Sequence, residues 1–220
     1  MRKMRSVCVA LAGFVVILGL GSVAQAGVGL TLKAGTTGVG GDLTFGLNEK
    51  LNLRAGVSYL NTTYNTDEID GELNLLNVPV LIDWHPFQNS GFRVSGGAMF
   101  SDNYLKLSAG KGQTVNIDDT DYQVDTLKGK IDFDNTISPY LGIGWGNAVD
   151  TSSRWHFAAD IGVAFVSSPN VTLDAKIDAL DTHTQAQLDA AIAKQKDTYK
   201  DDYSQFQIFP VLTIGLSYAF

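Results

Sequence analysis

One cysteine, Cys8, is all the thiol chemistry in 220 residues, so no internal disulfide can form and catalysis by a cysteine has a single candidate at the extreme N-terminus. Histidine is scarce as well, three in all, which leaves few candidates for a general base. Cations are outnumbered, Lys+Arg 16 against Asp+Glu 23 for a formal net charge of −7, and that balance argues against nucleic acid as a partner. After residue 26 no apolar run approaches the roughly 20 residues of a transmembrane helix, so any membrane would have to be crossed by strands.

The N-terminus does carry a short apolar run. Arg2, Lys3 and Arg5 precede Val7 to Leu20, and Ala24-Gln25-Ala26 offers small residues for cleavage, the pattern of a secretory signal peptide over 1–26. The run is short for a retained helical anchor, and Cys8 precedes it instead of following it, which does not fit a lipoprotein signal. Cleavage removes three cations, leaving 13 against 23 acidic residues and a charge of −10. Residues 27–220 are then the length of a single domain.

The end of the chain is the most regular stretch. Pro210, Leu212, Ile214, Leu216, Tyr218 and Phe220 share one face of a strand, and Val211, Thr213, Gly215, Ser217 and Ala219 share the other. Seven more segments alternate in the same way: 28–34, 39–47, 51–59, 76–85, 92–100, 139–146 and 155–165. Such spacing also suits a soluble sandwich or a lipocalin-like barrel, so the second face decides. It is mostly Gly, Ser and Ala with a few charges, where a soluble sheet would show water Lys, Glu and Thr. That composition suits the crowded interior of a narrow closed barrel.

Aromatic residues and loop lengths point the same way. With the N-terminus in the periplasm, Trp84, Trp145 and Trp155 fall at one rim with Tyr218 and Phe220, joined by Phe45 and Phe92, while Tyr59, Phe100, Phe165 and Phe206 fall at the other. Connections after the second, fourth and sixth segments, at the tryptophan rim, are short, and those after the third, fifth and seventh, at the opposite rim, run longer. The expected fold is all-β: an eight-stranded antiparallel up-and-down transmembrane β-barrel over 27–220, with a long external hairpin at 101–138. The parity of Leu127 to Phe133 carries into Pro139, which predicts a sixth strand projecting past the bilayer against an extended fifth. Leu173, Ile177 and Leu180, then Leu188, Ile192 and Tyr199, recur at helical spacing, which predicts a helical external loop over 168–205. A bulge is expected at Pro79, which cannot donate to the ladder.

The alternating terminal strand with its final Phe resembles the assembly signal of Gram-negative outer-membrane β-barrels. The whole arrangement is similar in architecture to the small barrels of the outer-membrane protein A and W type. That resemblance implies residence in the outer membrane, contact with its lipids and lipopolysaccharide, recognition of the last strand by the barrel-assembly machinery, and a monomer without cofactor or metal.

On the lumen face the charges are Lys33, Asp42, Arg54, Asp83, Arg93 and Asp160, and Asp83 is expected to bridge the two arginines, with Tyr140 and His156 in the same network. A structural plug and a gate are both compatible with it. Gly162→Ser, on this face, is expected to be tolerated better than Ala159→Arg or Leu212→Arg on the lipid face. The acidic loop with Asp118, Asp119 and Asp121 offers oxygen ligands to a hard cation but lacks the glycine and terminal glutamate of an EF-hand, so a solvated loop is expected. A structural or surface role, with weak passage of small solutes at most, is the leading expectation. The alternatives are a lipid-modifying or hydrolytic enzyme using His85 or His156, and a carrier of small hydrophobic molecules.

Overall fold

The computed structural model describes residues 27–66, 69–87, 90–110, 112–118, 120–133, 136–167, 169–179, 181, 183–203 and 208–220. The expected signal peptide 1–26, Asp119, Leu180 and Phe206 lie outside the described residues. In chain order the elements are β1 (Val28–Gly35), β2 (Gly38–Gly46), β3 (Leu51–Asn65), β4 (Ile69–Trp84), β5 (Phe92–Ser101), β6 (Tyr104–Ala109), β7 (Gln113–Ile117), β8 (Thr120–Phe133), β9 (Ile137–Trp145), β10 (Trp155–Phe165), β11 (Pro169–Ile177), the helix α1 (Gln185–Tyr203) and β12 (Ile208–Ala219).

Eight of these strands close on themselves in the order β1, β2, β3, β4, β5, β9, β10, β12, every pair antiparallel. The ring is sealed where Gly29 to Gly35 of β1 pair with Ala219 to Thr213 of β12, so no barrel edge is left open. Side-chain direction follows the period of two. Leu32, Val57, Ile82, Ile143, Phe157, Ile161, Ile214 and Leu216 are exposed on the outside, while Thr44, Asn52, Ser58, Asn77, Ser95, Ser138 and Ser217 are buried within. A soluble protein inverts that arrangement. No helix among the described residues is long and apolar enough to cross a membrane, which leaves crossing by strands open.

The β2–β3, β4–β5 and β9–β10 turns and both described ends of the barrel chain lie at one rim. Trp84, Trp145, Trp155 and Phe220 are exposed there, and Trp155 stacks edge-on against Tyr218 at 5.1 Å, itself 5.2 Å from Phe220. Tyr59 and Phe165 are exposed toward the opposite rim, with Phe100 half-buried on β5. Phe45, expected in the first girdle, is instead buried at 7% exposure.

Beyond the long-loop rim the wall continues as a second sheet. The hairpin of β3 and β4 stays paired out to Asn65↔Asp70, so most of the connection between the segments 51–59 and 76–85 is strand. The outer part of β4 then pairs with β6, β6 with β8, and β8 with both β11 and β7. The extension is thus built on β4 and not on a lengthened fifth and sixth strand. β8 ends at Phe133 and β9 begins at Ile137, because parity alone does not say which neighbour a strand pairs with.

The helical expectation over 168–205 holds for its second half only. Leu173 and Ile177 lie on β11, whose Val171, Leu173, Ala175 and Ile177 share one face against Asn170, Thr172, Asp174 and Lys176. A spacing of four residues satisfies a period of two as well as one of 3.6, so that pair could not choose between strand and helix. α1 buries Leu188, Ala191 and Ile192 against Ile117, Tyr122 and Val124, which gives the outer sheet a small core of its own. Pro79 makes no bulge: the β3–β4 ladder lapses opposite Gly56 and Val57 and resumes at Ser58↔Asn77 in the same register as Ala55↔Val80.

Candidate functional site: the charged layer in the lumen

Residue positions 54, 83, 93 and 160 come from β3, β4, β5 and β10, and period-two alternation aims all four side chains inward. Arg54 sits at the centre. Its Nε lies 2.8 Å from Asp83 Oδ2, its terminal nitrogens 3.1 and 3.2 Å from the two Asp160 oxygens, and one of them 3.5 Å from Asp42 Oδ2. Arg93 donates to Asp160 Oδ1 at 2.9 Å and to the carbonyl of Gly146. Asp83 reaches both arginines, at 2.8 and 3.9 Å, but Asp160 holds both at hydrogen-bonding distance and is the tighter bridge.

Two hydroxyls complete the layer. Ser95 donates to Asp83 Oδ1 at 2.6 Å, and Thr213 donates to Asp160 Oδ2 at 3.2 Å. Lys33 pairs with Asp42 at 2.7 Å one layer along. Three cations therefore face three carboxylates, the balance that makes charge tolerable away from water. Ser95 and Thr213 were not singled out in the sequence, although each shares the inward parity of the charges.

The glycines of the inner face have a specific job here. Asp42 pairs across the ladder with Gly56, where an added Cβ would lie 1.8 Å from Asp42 Oδ1. Gly144 opposes both Arg93 and Asp160, and its Cβ would meet Asp160 Oδ1 at 2.6 Å. Asp42, Arg93 and Asp160 find room in the lumen because one cross-strand neighbour of each is a glycine.

Tyr140 and His156 do not join the layer in the same way. Tyr140 is buried with Leu81, Met99, Ala164 and Val211, an apolar cluster on the long-loop side, and its ring covers Gly142 and Gly162. An added Cβ at Gly162 would lie 2.3 Å from the Tyr140 hydroxyl and 2.6 Å from Cζ, so a side chain there has a cost of its own although the position faces the lumen. Gly162→Ala is expected to destabilise the folded barrel by about 1–3 kcal/mol, the usual cost of overpacking. The same substitution should cost much less in a Tyr140→Ala background than in the wild type, measured by urea unfolding in lipid vesicles.

His156 lies near the short-turn rim, its Nε2 within 2.8 Å of the Asp150 carbonyl and 2.7 Å of the Ser153 carbonyl. With His85, Glu49, Asn147, Asp150 and Trp145 it lines an open basin of about 740 Å³. The Asp150 carboxyl is held below the usual carboxylate range by the Ser152 backbone N–H that it accepts. Asp118, at the β7–β8 turn, pairs with Lys194 of α1 at 2.7 Å. Among the described residues no group of three His, Cys, Asp or Glu side chains is arranged to hold a metal ion.

Two small voids flank Arg54 along the axis. A void of about 10 Å³ lies on the short-turn side of Arg54, lined by Thr31, Thr44, Asn52 and His85, and one of about 20 Å³ lies beyond it, lined by Lys33, Ser58, Tyr140 and Thr213. Each is about the volume one water needs. Arg54 borders both and stands between them.

No protein-family model and no curated protein sequence matches the chain. Among solved structures it is similar to Acinetobacter baumannii CarO, with a TM-score of 0.61 and 23% identity over 88% of this chain and 98% of that one. It is equally similar to Acinetobacter baumannii CarO2, with a TM-score of 0.61 and 24% identity over 89% and 100% of the two chains. At that identity the likeness is one of fold, the closed eight-stranded antiparallel barrel.

Proposed function

We propose that this chain is an outer-membrane β-barrel protein of a Gram-negative bacterium with a structural or surface role, its lumen held shut by the Arg54 layer. The observation that carries this reading is the pairing of an apolar outer wall with a filled interior, in which a buried guanidinium held by three carboxylates separates two water-sized voids. A hydrocarbon-facing wall with paired charge inside is the stable arrangement for a narrow membrane barrel. The similarity of fold to the CarO structures supports it.

The histidines lend little to an enzymatic reading. Among the described residues His85 Nε2 is buried without a hydrogen-bond partner, and His156 faces the backbone carbonyls of Asp150 and Ser153. The apolar side of the lumen is packed with Leu81, Met99 and Val211, which leaves a carrier of apolar molecules without an evident chamber.

Single-channel recording in planar bilayers tests the closed lumen. Refolded wild-type protein is expected to give no steps above the lipid background, and Arg54→Ala to admit small ions. Stable wild-type conductance would contradict the plug, and absence of heat-modifiable protein from the outer-membrane fraction would contradict the location.

A further inference from the structure

The outward face of the second sheet is the continuation of the barrel's outer wall. On β3 the exposed Val57 and Tyr59 have the same parity as Asn61, Thr63 and Asn65, so the face that meets lipid below is the face that carries polar side chains above. One row runs straight across five strands: Thr63↔Glu72↔Lys106↔Lys130↔Thr172. The next row places Lys128 between Ser108 and Asp174. Together they line a trough of about 500 Å³.

Three lysines thus crowd onto two neighbouring strands in a chain with an excess of acid. Lys106 and Lys130 stand directly opposite each other, a like-charge pairing that destabilises a sheet unless something negative lies between or beside the ammonium groups. Glu72 accepts from Lys106 Nζ at 2.8 Å and Asp132 accepts from Lys130 Nζ, while the Tyr104 ring lies 4.3 Å and 6.0 Å from the two ammonium groups. The hydrogen bond to Glu72 raises the Lys106 pKa above its ordinary value, which keeps that ammonium charged throughout the physiological range. At the flanks Asp70 and Asp174 offer acceptors of the kind that hold sugar hydroxyls.

Height decides what stands opposite. Thr63 is four residues past Tyr59, about 13 Å farther along the strand at ~3.3 Å per residue. That places the trough just beyond the aromatic rim, sideways to the leaflet and not over the barrel mouth. Resting on the location proposed above, we propose that this trough binds the phosphorylated saccharide headgroup of an outer-leaflet glycolipid, with Lys106, Lys128 and Lys130 taking phosphate and Asp70 and Asp174 taking sugar hydroxyls. The trough sets three ammonium groups, Lys106, Lys128 and Lys130, among three carboxylates, Asp70, Glu72 and Asp174, a mixed lining that suits a ligand bearing both phosphate and hydroxyl groups, and its continuity with the lipid-facing wall selects that occupant.

Titration of lipopolysaccharide in mixed micelles onto detergent-folded protein tests it, after heat-modifiable migration has shown that each protein is folded. Lys106→Gln/Lys128→Gln/Lys130→Gln is expected to bind about 10–100-fold more weakly than wild type, from the attraction each cation contributes near an anionic surface. The corresponding triple arginine variant should keep its affinity, and Lys50→Gln, at the short-turn end, should not change it. Dephosphorylated lipopolysaccharide should bind as weakly as the triple glutamine variant. Equal affinity of the folded wild type and the folded triple glutamine variant would overturn the site, as would full displacement by inorganic phosphate. Failure of wild-type protein to insert into outer membranes is a separate result, which would strike the proposed location instead.

Discussion

Arg54→Ala is expected to lower the unfolding free energy of the vesicle-inserted barrel by about 3–5 kcal/mol, the size seen when one member of a buried charge network is removed. The reason lies in what remains. Asp42, Asp83 and Asp160 are all buried, and without the guanidinium they share only Lys33 and Arg93. The loss is therefore an uncompensated carboxylate and not a missing attraction, and magnitude separates the two explanations. An exposed ion pair is worth about 0–1 kcal/mol. Neutralising a partner should then restore stability: Arg54→Met/Asp83→Asn is expected to recover most of the loss, because charge balance returns and the lumen is refilled. Urea titration followed by tryptophan fluorescence measures all three proteins. An Arg54→Ala barrel that unfolds at the wild-type midpoint would show that water, and not Arg54, already satisfies those acids.

What was legible in the sequence follows from what each signal depends on. The closed barrel was readable from β12, where the alternation of Pro210 to Phe220 is set by the chain's own backbone and the facing of every residue follows. The charge layer was readable for the same reason: Arg54, Asp83, Arg93 and Asp160 each inherit an inward direction from parity. Asp83 does reach both arginines as expected, but that Asp160 bridges them more tightly was not legible, because it depends on shear between strands distant in sequence. β10 brings Asp160 across the lumen to Arg54 over a separation of 106 residues.

The outer sheet was hardest to read. Its strands pair with neighbours chosen by the barrel beneath them, and its apolar positions include Leu173 and Ile177, whose spacing serves strand and helix alike. Glycine was legible as composition but not as mechanism. That Gly56 makes room for Asp42, and Gly162 for Tyr140, depends on cross-strand register.

The facing of the outer wall carries the second large effect. Ile214 is 63% exposed, lies midway along β12, and pairs with Ala34 on one side and Ala159 on the other. Ile214→Arg is expected to cost about 2–4 kcal/mol of insertion free energy, while Ile208→Arg, at the long-loop end of the same strand, should cost only about 0–1 kcal/mol. The contrast between the two is more informative than either value. In water both substitutions would replace an exposed apolar side chain by a charged one, and neither would destabilise the fold. In hydrocarbon the penalty depends on depth, because only the arginine near an interface can carry its guanidinium to the headgroups. Equilibrium unfolding of both variants from lipid vesicles therefore reads the solvent of the outer wall directly. Equal, small effects at Ile214 and Ile208 would mean that water wets that surface, and the exposed leucines, isoleucines and tryptophans would then need another partner to cover them.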